Sequence, residues 1–113
     1  TLPVSPTEAG TRHAWHLFVI RLRPDRLKGG RDEIFSEMRR RQIGVNVHYT
    51  PIHLFSFYRK RFGYKPGDFP NAERVFRESL TLPLFPAMTA ADVGRVVRVL
   101  KEAVAARLRK RHF

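Results

Sequence analysis

The residues best suited to chemistry lie in one stretch, 44–53, which reads Gly-Val-Asn-Val-His-Tyr-Thr-Pro-Ile-His. Its alternation of apolar and polar residues, closed by a proline, predicts a short β-strand. Because side chains on a strand alternate between its faces, Asn46 and His48 should share one face. Val45, Val47 and Tyr49 should then pack on the other face. An amide and an imidazole at the end of a stiff strand indicate a binding role, whereas the alternative is an edge strand whose polar face meets water.

Two further groups of polar side chains carry weaker signals. His53 and Tyr58 follow the strand in an irregular segment, where packing explains them at least as well as ligand contact. The histidines also form two close pairs, His13 with His16 and His48 with His53. Neither pair has a carboxylate or a third ligand at a suitable spacing, so no metal site is predicted.

Covalent catalysis has no evident residue. The chain contains no cysteine, and no serine is obviously paired with a base. Its lysines all lie in polar segments, where an amine is not desolvated as a Schiff-base lysine has to be. A glycine-rich phosphate loop and a nucleophile elbow are also missing from the sequence. On its residues alone, the chain is predicted to lack a complete active site.

Composition narrows the class of protein. A length of 113 residues with 42% hydrophobic residues predicts one folded domain with a real core. No apolar run approaches the ~20 residues of a membrane span, and the lack of cysteine fits a reducing compartment, so a cytoplasmic protein is expected. The net charge of +12 favours anionic partners. Basic runs at 39–41 and 107–111 lie at or near predicted helix ends, where cations offset the helix dipole.

Elements that would position the candidate residues follow from periodicity and turn signals. Residues 1–12, with two prolines and a glycine, are predicted to be a linker, which leaves 13–113 as the domain. The first predicted elements are a central strand from His13 to before Pro24, a helix over 31–42 capped by a left-handed Gly44, and the strand within 44–53. A short helix or turn over 54–62 and a helix from Pro70 to about Ser79 follow. The last two are a third strand over 80–84 and a long helix after Thr89.

This order, β-α-β-(short α)-α-β-α, predicts an α/β (α+β) fold with a small sheet of about three strands, mostly covered by helices on one face. Pro83 places the third strand at an edge of the sheet or at a strand end. Thr89 followed by Asp92 predicts a capping box. The last helix should cover one face of the sheet with an apolar stripe made of Val93, Val96, Val97, Leu100, Val104 and Leu108.

Several segments together carry a family resemblance. They are Ala14-Trp15-His16-Leu17-Phe18, the stretch 44–53, Phe69-Pro70-Asn71-Ala72-Glu73 and Leu80-Thr81-Leu82-Pro83-Leu84-Phe85-Pro86. In this order and at these intervals they resemble the C-terminal part of the DegT/DnrJ/StrS family of pyridoxal-phosphate-dependent nucleotide-sugar aminotransferases. The branch acting on keto sugars of bacterial surface polysaccharides, such as the pseudaminic-acid pathway enzyme, is the most similar. The resemblance covers about residues 13–104.

The resemblance implies an architecture and an activity. Such enzymes bind pyridoxal phosphate in a large N-terminal domain through a lysine Schiff base, and they carry a small C-terminal α/β domain, as in other fold-type I aminotransferases. They transfer an amino group from glutamate to a nucleotide-linked keto sugar, and they act as dimers with active sites at the subunit interface. The Schiff-base lysine and phosphate-binding residues have no counterpart in this sequence. By resemblance, residues 13–113 are therefore the small domain, 1–12 is the linker from a missing large domain, and this part alone should bind no cofactor and be inactive.

The same resemblance implies which residues meet substrate. Asn46, Val47, His48 and Tyr49 would line the sugar-nucleotide side of the cleft, with His53 and Tyr58 as further candidates. Both Asn46 and His48 can donate hydrogen bonds to sugar hydroxyls or phosphate oxygens, in agreement with their shared face. No residue is assigned to proton transfer.

Two other function classes remain open on the sequence. The segment 55–61 interleaves aromatic and basic residues, as a small nucleic-acid-binding module would, although no known recognition motif accompanies it. A pure interaction domain, whose basic face docks on an acidic partner, is the third possibility. A membrane partner is not expected.

Overall fold

The computed structural model describes residues 1–3 and 9–109. Part of the predicted linker, residues 4–8, and the basic tail, 110–113, lie outside the described residues. Among the described residues of the predicted linker, Thr1 exchanges two backbone hydrogen bonds with Arg21, of 2.8 and 2.9 Å. The regular elements are β1 (Phe18–Arg21), α1 (Gly30–Arg40), α2 (Ser56–Phe62), α3 (Pro70–Glu78), β2 (Ser79–Leu82) and α4 (Ala90–Arg107), with 3₁₀ turns at Pro24–Arg26 and Ile52–Leu54.

The sheet is smaller than the sequence predicts, and its order is different. β1 and β2 pair antiparallel, with Phe18 opposite Leu82 and Arg21 opposite Ser79. On the other side of β2 the predicted strand within 44–53 is reduced to one antiparallel bridge between Asn46 and Thr81. Among the described residues β2 is therefore the middle element, while β1 has no second strand beside it and makes only the two bonds to Thr1 besides, so the prediction that the first strand is central is wrong. The central strand is β2, which ends before Pro83, and not the more apolar strand that precedes Pro24.

Local backbone geometry explains the shorter first strand. Trp15 has a φ of 47°, which turns the chain out of the extended conformation, and β1 begins only at Phe18. Proline explains the end of β2, because Pro83 follows Leu82 directly and cannot donate to a ladder. The strand-end alternative for Pro83 is thus confirmed.

The first helix ends in a different way from the prediction. The left-handed residue is Gln42, with a φ of 60°, and not Gly44. The amide of Ile43 donates to the carbonyl of Met38 over 2.9 Å, and that of Gln42 to Arg39 over 3.0 Å, which is the bonding pattern of a Schellman-type end. Because Ile43 is buried, the chain turns towards the core one residue earlier, at Gln42, and a glutamine rather than a glycine takes the left-handed conformation.

The core forms where α1, α4 and β2 meet. Ile34, Met38 and Leu80 are fully buried, and all four residues of β2 are buried, so both faces of that strand are covered. The buried apolar positions of α4 are Val96, Val99 and Ala103, and Leu100 and Val104 of the predicted stripe are partly buried and pack against the same core.

The predicted stripe of α4 is therefore partly wrong. Val93 and Val97 are 48% and 40% exposed, and Leu108 is half exposed, whereas Val99 and Ala103, which the prediction omitted, are buried. The helix packs mainly against α1. Valines lie on several sides of this helix, so its sequence is compatible with more than one apolar stripe. Which side faces the core therefore depends on the helix it packs against.

Helix starts were predicted well. Pro70 is the first residue of α3, and Thr89 and Asp92 form the capping box of α4, with the Asp92 amide donating to Thr89 Oγ1 over 3.2 Å. The short helix expected within 54–62 is α2. No helix in the described ranges combines the length and apolar composition that a membrane crossing requires.

Candidate functional site

Asn46 lies where the predicted strand meets β2. Its backbone exchanges two hydrogen bonds with Thr81, of 3.1 and 2.8 Å, while its side chain is exposed. The side-chain Oδ1 accepts from the amide of Val47 over 2.8 Å, which orients the amide group. The Nδ2 atom then points to His48, 3.4 Å from its Nε2. Asn46 and His48 therefore lie together on one side of this segment, as the alternation predicts.

His48 is supported from the neighbouring strand. Its Nδ1 lies 2.9 Å from Oγ1 of Thr81, whose residue is only 5% exposed. Asn46 Nδ2 can only donate, so a hydrogen bond at this contact requires the neutral imidazole to accept at Nε2 and to donate from Nδ1 to Thr81. The Nε2 lone pair then accepts only the long 3.4 Å contact from Asn46, which a donor on a ligand can replace. A half-buried ring held at both nitrogens has few orientations, which suits a ligand contact.

The remaining residues of the strand end differ in exposure. Val47 is half-buried, whereas Tyr49 is 69% exposed and does not join the apolar face as predicted. The ring of Tyr49 instead lies edge-on to that of His48, with centroids 4.6 Å apart. The segment leaves β2 after Asn46, so strand alternation no longer applies at Tyr49. An exposed phenol beside an oriented imidazole can contact both an apolar face and a hydroxyl of a ligand.

His53 is placed away from this polar group, in the interior. Its Nε2 donates to Oε1 of Glu73 over 2.9 Å, and the two residues are 6% and 8% exposed. The same carboxylate oxygen accepts from the backbone amide of Gly67 over 2.7 Å. Phe69 packs against the imidazole with ring centroids 4.7 Å apart. His53 is thus bound to protein groups where the sequence suggested a possible substrate contact.

Tyr58 lines an open groove next to this pair. The aromatic groove, as we call it, has a volume of about 480 Å³ and mostly apolar walls. Tyr58 packs edge to face on Phe57 and stacks near Phe62, with centroid distances of 5.3 and 6.0 Å. The residues that line the groove are Pro51, Ile52, His53, Tyr58, Phe62, Tyr64, Phe69 and Ala72.

The carboxylate of Glu73 makes the stability of this region depend on pH. The hydrogen bond from His53, followed by that from the Gly67 amide, holds the pKa of Glu73 below its ordinary value of 4.5, although desolvation acts in the opposite direction. A lowered pKa in the folded state means that the stabilisation is complete above pH 4.5 and is lost as the pH falls through the lowered value.

We therefore expect Glu73→Gln to flatten the acid limb of the stability curve. Denaturant titrations of the protein at several pH values between about 5 and 3 measure this limb. The Glu73→Gln variant should lose less unfolding free energy across that window than the parent protein. Asp92→Asn is the comparison, since the Thr89 hydroxyl and amide also lower the pKa of Asp92. Its effect on the acid limb should be independent of that of Glu73→Gln. Parallel curves for Glu73→Gln and the parent would contradict the assignment.

Thr81 and Glu73 are the residues that sequence reasoning missed. In the sequence Thr81 is only the polar member of an alternating strand, and Glu73 is only part of a helix start. Their partners His48 and His53 lie 33 and 20 residues away along the chain. A polar residue inside an otherwise apolar strand was the available signal for Thr81, because a buried hydroxyl needs a partner. Nothing in the local pattern indicated Glu73.

The described residues do not fit a pyridoxal phosphate site by themselves. Lys28, Lys60, Lys65 and Lys101 are all exposed, so none is the desolvated amine that a Schiff base requires. Within residues 1–3 and 9–109 there is also no group of three or more His, Cys, Asp or Glu residues that could hold a metal ion.

The aromatic and basic residues proposed for nucleic-acid binding lie on α2, except Phe55, which directly precedes it. Phe57 is 65% exposed, and Arg59 and Lys60 lie beside it in the sequence and line a shallow surface depression with Ser56 and Tyr64. They stand on a helix of seven residues and not along a sheet. The nucleic-acid alternative stays a prediction.

Comparison with known proteins gives a family. Residues 1–101 match the model of the DegT/DnrJ/EryC1/StrS aminotransferase family. An uncharacterized protein of Methanocaldococcus jannaschii, MJ1066, is 46% identical over 102 residues, which are 89% of this chain and 26% of that protein. The spore coat polysaccharide biosynthesis protein SpsC of Bacillus subtilis is 41% identical over 96 residues, or 82% of this chain and 24% of SpsC. The chain thus spans about a quarter of the length of these relatives.

Solved structures agree with the family match. The aminotransferase TlmJ of Streptoalloteichus hindustanus superimposes with a TM-score of 0.77 at 29% identity, over 94% of this chain and 26% of TlmJ. The putative sugar aminotransferase Spr1654 of Streptococcus pneumoniae, in its PMP form, has a TM-score of 0.72 at 27% identity, over 80% of this chain and 22% of that protein. The mixed fold of helices around a small antiparallel sheet is therefore the one found in these enzymes, and the chain belongs to the DegT/DnrJ/EryC1/StrS aminotransferase family.

Proposed function

We propose that this chain is the C-terminal small domain of a pyridoxal-phosphate-dependent aminotransferase that moves an amino group from glutamate to a nucleotide-linked keto sugar. The observation that carries the proposal is the family match, because it spans nearly the whole chain while the chain spans about a quarter of its relatives. The name of SpsC supports a role in making surface polysaccharides. The complete enzyme would be a cytoplasmic homodimer, with its cofactor in a large N-terminal domain.

The contribution of this chain is to bind and orient the sugar nucleotide. Asn46 offers amide donors, and the Nε2 atom of His48 accepts from a sugar hydroxyl, or donates to a phosphate oxygen when the ring is protonated. The exposed ring of Tyr49 can pack on an apolar sugar face, while Val47 anchors the segment. Binding the sugar nucleotide here lowers the barrier to amino transfer only when another part of the enzyme holds the reacting carbon in position.

The chain alone should then be inactive. Its described lysines are exposed, so the amine that holds the cofactor has to come from the rest of the longer protein. With glutamate as donor, each amino sugar formed releases one 2-oxoglutarate, and both products can be measured. The complete, cofactor-loaded protein should release equal amounts of amino sugar and 2-oxoglutarate from a nucleotide-linked keto sugar and glutamate.

The matched control is the 113-residue chain supplied with the same cofactor and substrates, which should form neither product. The proposal would fail if the complete protein converted no nucleotide-linked keto sugar. It would also fail if the isolated chain were as active as the complete protein. A gel-shift titration at two salt concentrations separates the nucleic-acid alternative, since tight and steeply salt-dependent binding would favour it.

A further inference from the structure

We propose that His53 is a positioning residue, which with Glu73 fixes the shape of the segment that carries Tyr49 and does not itself contact the substrate. The proposal rests on the function proposed above and assigns a role to a residue pair that this function leaves unused. It follows from how the segment 46–53 is attached to the remainder of the domain.

The first attachment lies at the start of the segment. The backbone of Asn46 is bonded in both directions to Thr81 of β2, over 3.1 and 2.8 Å. Two residues further on, the His48 ring reaches the hydroxyl of the same threonine over 2.9 Å. One residue of β2 therefore holds both the main chain and a side chain of the segment.

The second attachment lies at its end. His53 Nε2 donates to Glu73 over 2.9 Å, and the carboxylate oxygen also accepts from the Gly67 amide. Burial of both partners keeps water from competing, so a hydrogen bond to a charged group is stronger here than on the surface. Phe69 covers one side of the imidazole. With this nitrogen engaged and 6% of the residue exposed, little of the ring is left for a ligand.

Both attachments belong to one continuous unit. Glu73 lies in the first turn of α3, and α3 runs without a loop into β2, which contains Thr81. Arg31 of α1 strengthens the junction, since its guanidinium lies 5.4 Å from the ring centre of Phe76 and reaches the carbonyl of Ser79 over 3.5 Å. The distance between the two ends of the segment is therefore set by α3 and β2.

Between these ends the segment is partly exposed. Tyr49 and Ile52 are 69% and 61% exposed, so packing of their own side chains does little to order them. Fixing a free residue costs roughly 1–2 kcal/mol of backbone entropy, and a segment ordered beforehand spares the ligand that cost on binding. The His53–Glu73 pair supplies this order from within the protein.

The test compares variants of the complete enzyme. His53→Ala should raise the KM for the nucleotide-linked keto sugar about tenfold, while the half-reaction with glutamate, followed by the cofactor absorbance, should keep its rate. His53→Gln should restore most of the KM, because its amide nitrogen can also donate to Glu73. Arg77→Ala is the matched control, since Arg77 touches Glu73 only from the exposed side, at 3.8 Å, and it should leave both half-reactions unchanged.

Hydrogen exchange provides a readout that needs no substrate. In His53→Ala the amides of Leu54 and Phe55, which donate to the carbonyls of Pro51 and Ile52 over 2.9 and 3.1 Å, should exchange about tenfold faster than in the parent protein, and in Arg77→Ala they should not. Unchanged exchange would overturn the positioning role whatever the enzyme's substrate is. An equal loss in both half-reactions, or no rescue by His53→Gln, would also overturn it. If exchange changes as expected but the parent enzyme aminates no keto sugar, the proposed function fails and the positioning role stands.

Discussion

Replacing Leu80 with alanine is expected to lower the free energy of unfolding by about 2–5 kcal/mol, the usual cost of removing a fully buried leucine. Leu80 is 0% exposed in β2, which lies between β1 and the bridge at Asn46. The side chain packs in the same cluster as Ile34 and Met38 of α1, so its loss leaves a cavity between the sheet and the helix. Since small domains are stable by ~5–15 kcal/mol, this change removes a large fraction of the total.

Leu84→Ala is the matched control for that prediction. Leu84 follows β2 at the same two-residue spacing, and the sequence treats Leu80, Leu82 and Leu84 alike, but Leu84 is 42% exposed. Its replacement should cost much less, within roughly 1 kcal/mol, as for other partly exposed positions. Urea unfolding followed by circular dichroism measures both variants. Equal losses of unfolding free energy for Leu80→Ala and Leu84→Ala would mean that Leu84 is buried in the core as Leu80 is, contrary to its observed exposure.

Replacing His48 with alanine in the complete enzyme is expected to lower kcat/KM for the nucleotide-linked keto sugar about tenfold or more. A hydrogen bond to a charged group contributes ~1.5–3 kcal/mol, and each 1.4 kcal/mol corresponds to about a factor of ten. His48 is half-buried and held by Thr81 and Asn46, so its contact with ligand requires little reordering. The effect should appear mainly in KM if the contact is equally strong in the ground and transition states.

Two further variants distinguish contact from support. Thr81→Val keeps the shape of the side chain and removes the hydroxyl that holds Nδ1, so it should raise KM by a smaller factor than His48→Ala. His16→Ala is the control, because His16 is exposed and lies outside the strand end. It should leave kcat/KM unchanged. Wild-type kinetics for His48→Ala, with the thermal midpoint also unchanged, would remove His48 from the substrate site.

Much of the helical structure was predictable because its signals are local. Pro70 at the start of α3 and the capping box of Thr89 and Asp92 each involve residues within one helical turn. The apolar stripe predicted for α1 is Ile34, Phe35 and Met38, and in the fold Ile34 and Met38 are buried while Phe35 is partly buried against the same core. The family resemblance was also readable, since it depends on residue types at intervals along the chain.

The sheet was less predictable, because strand pairing depends on partners that are far apart in sequence. The apolar run before Pro24 suggested a central strand, but among the described residues β1 pairs only with β2, and a single bridge replaces the strand within 44–53. The exposure of Tyr49 has the same origin, since alternation holds only while a segment stays in register with its neighbour.

The sequence by itself determined the starts of α3 and α4, the family, and the presence of an asparagine and a histidine on one side of a short extended segment. Only the tertiary structure decided that Thr81 orients His48 and that His53 is buried against Glu73, across separations of 33 and 20 residues. Short-range periodicity and capping are contained in neighbouring residues. Hydrogen bonds between distant side chains form only after the chain has brought α3 and β2 beneath the segment, so their pattern exists in the fold and not in any stretch of the sequence.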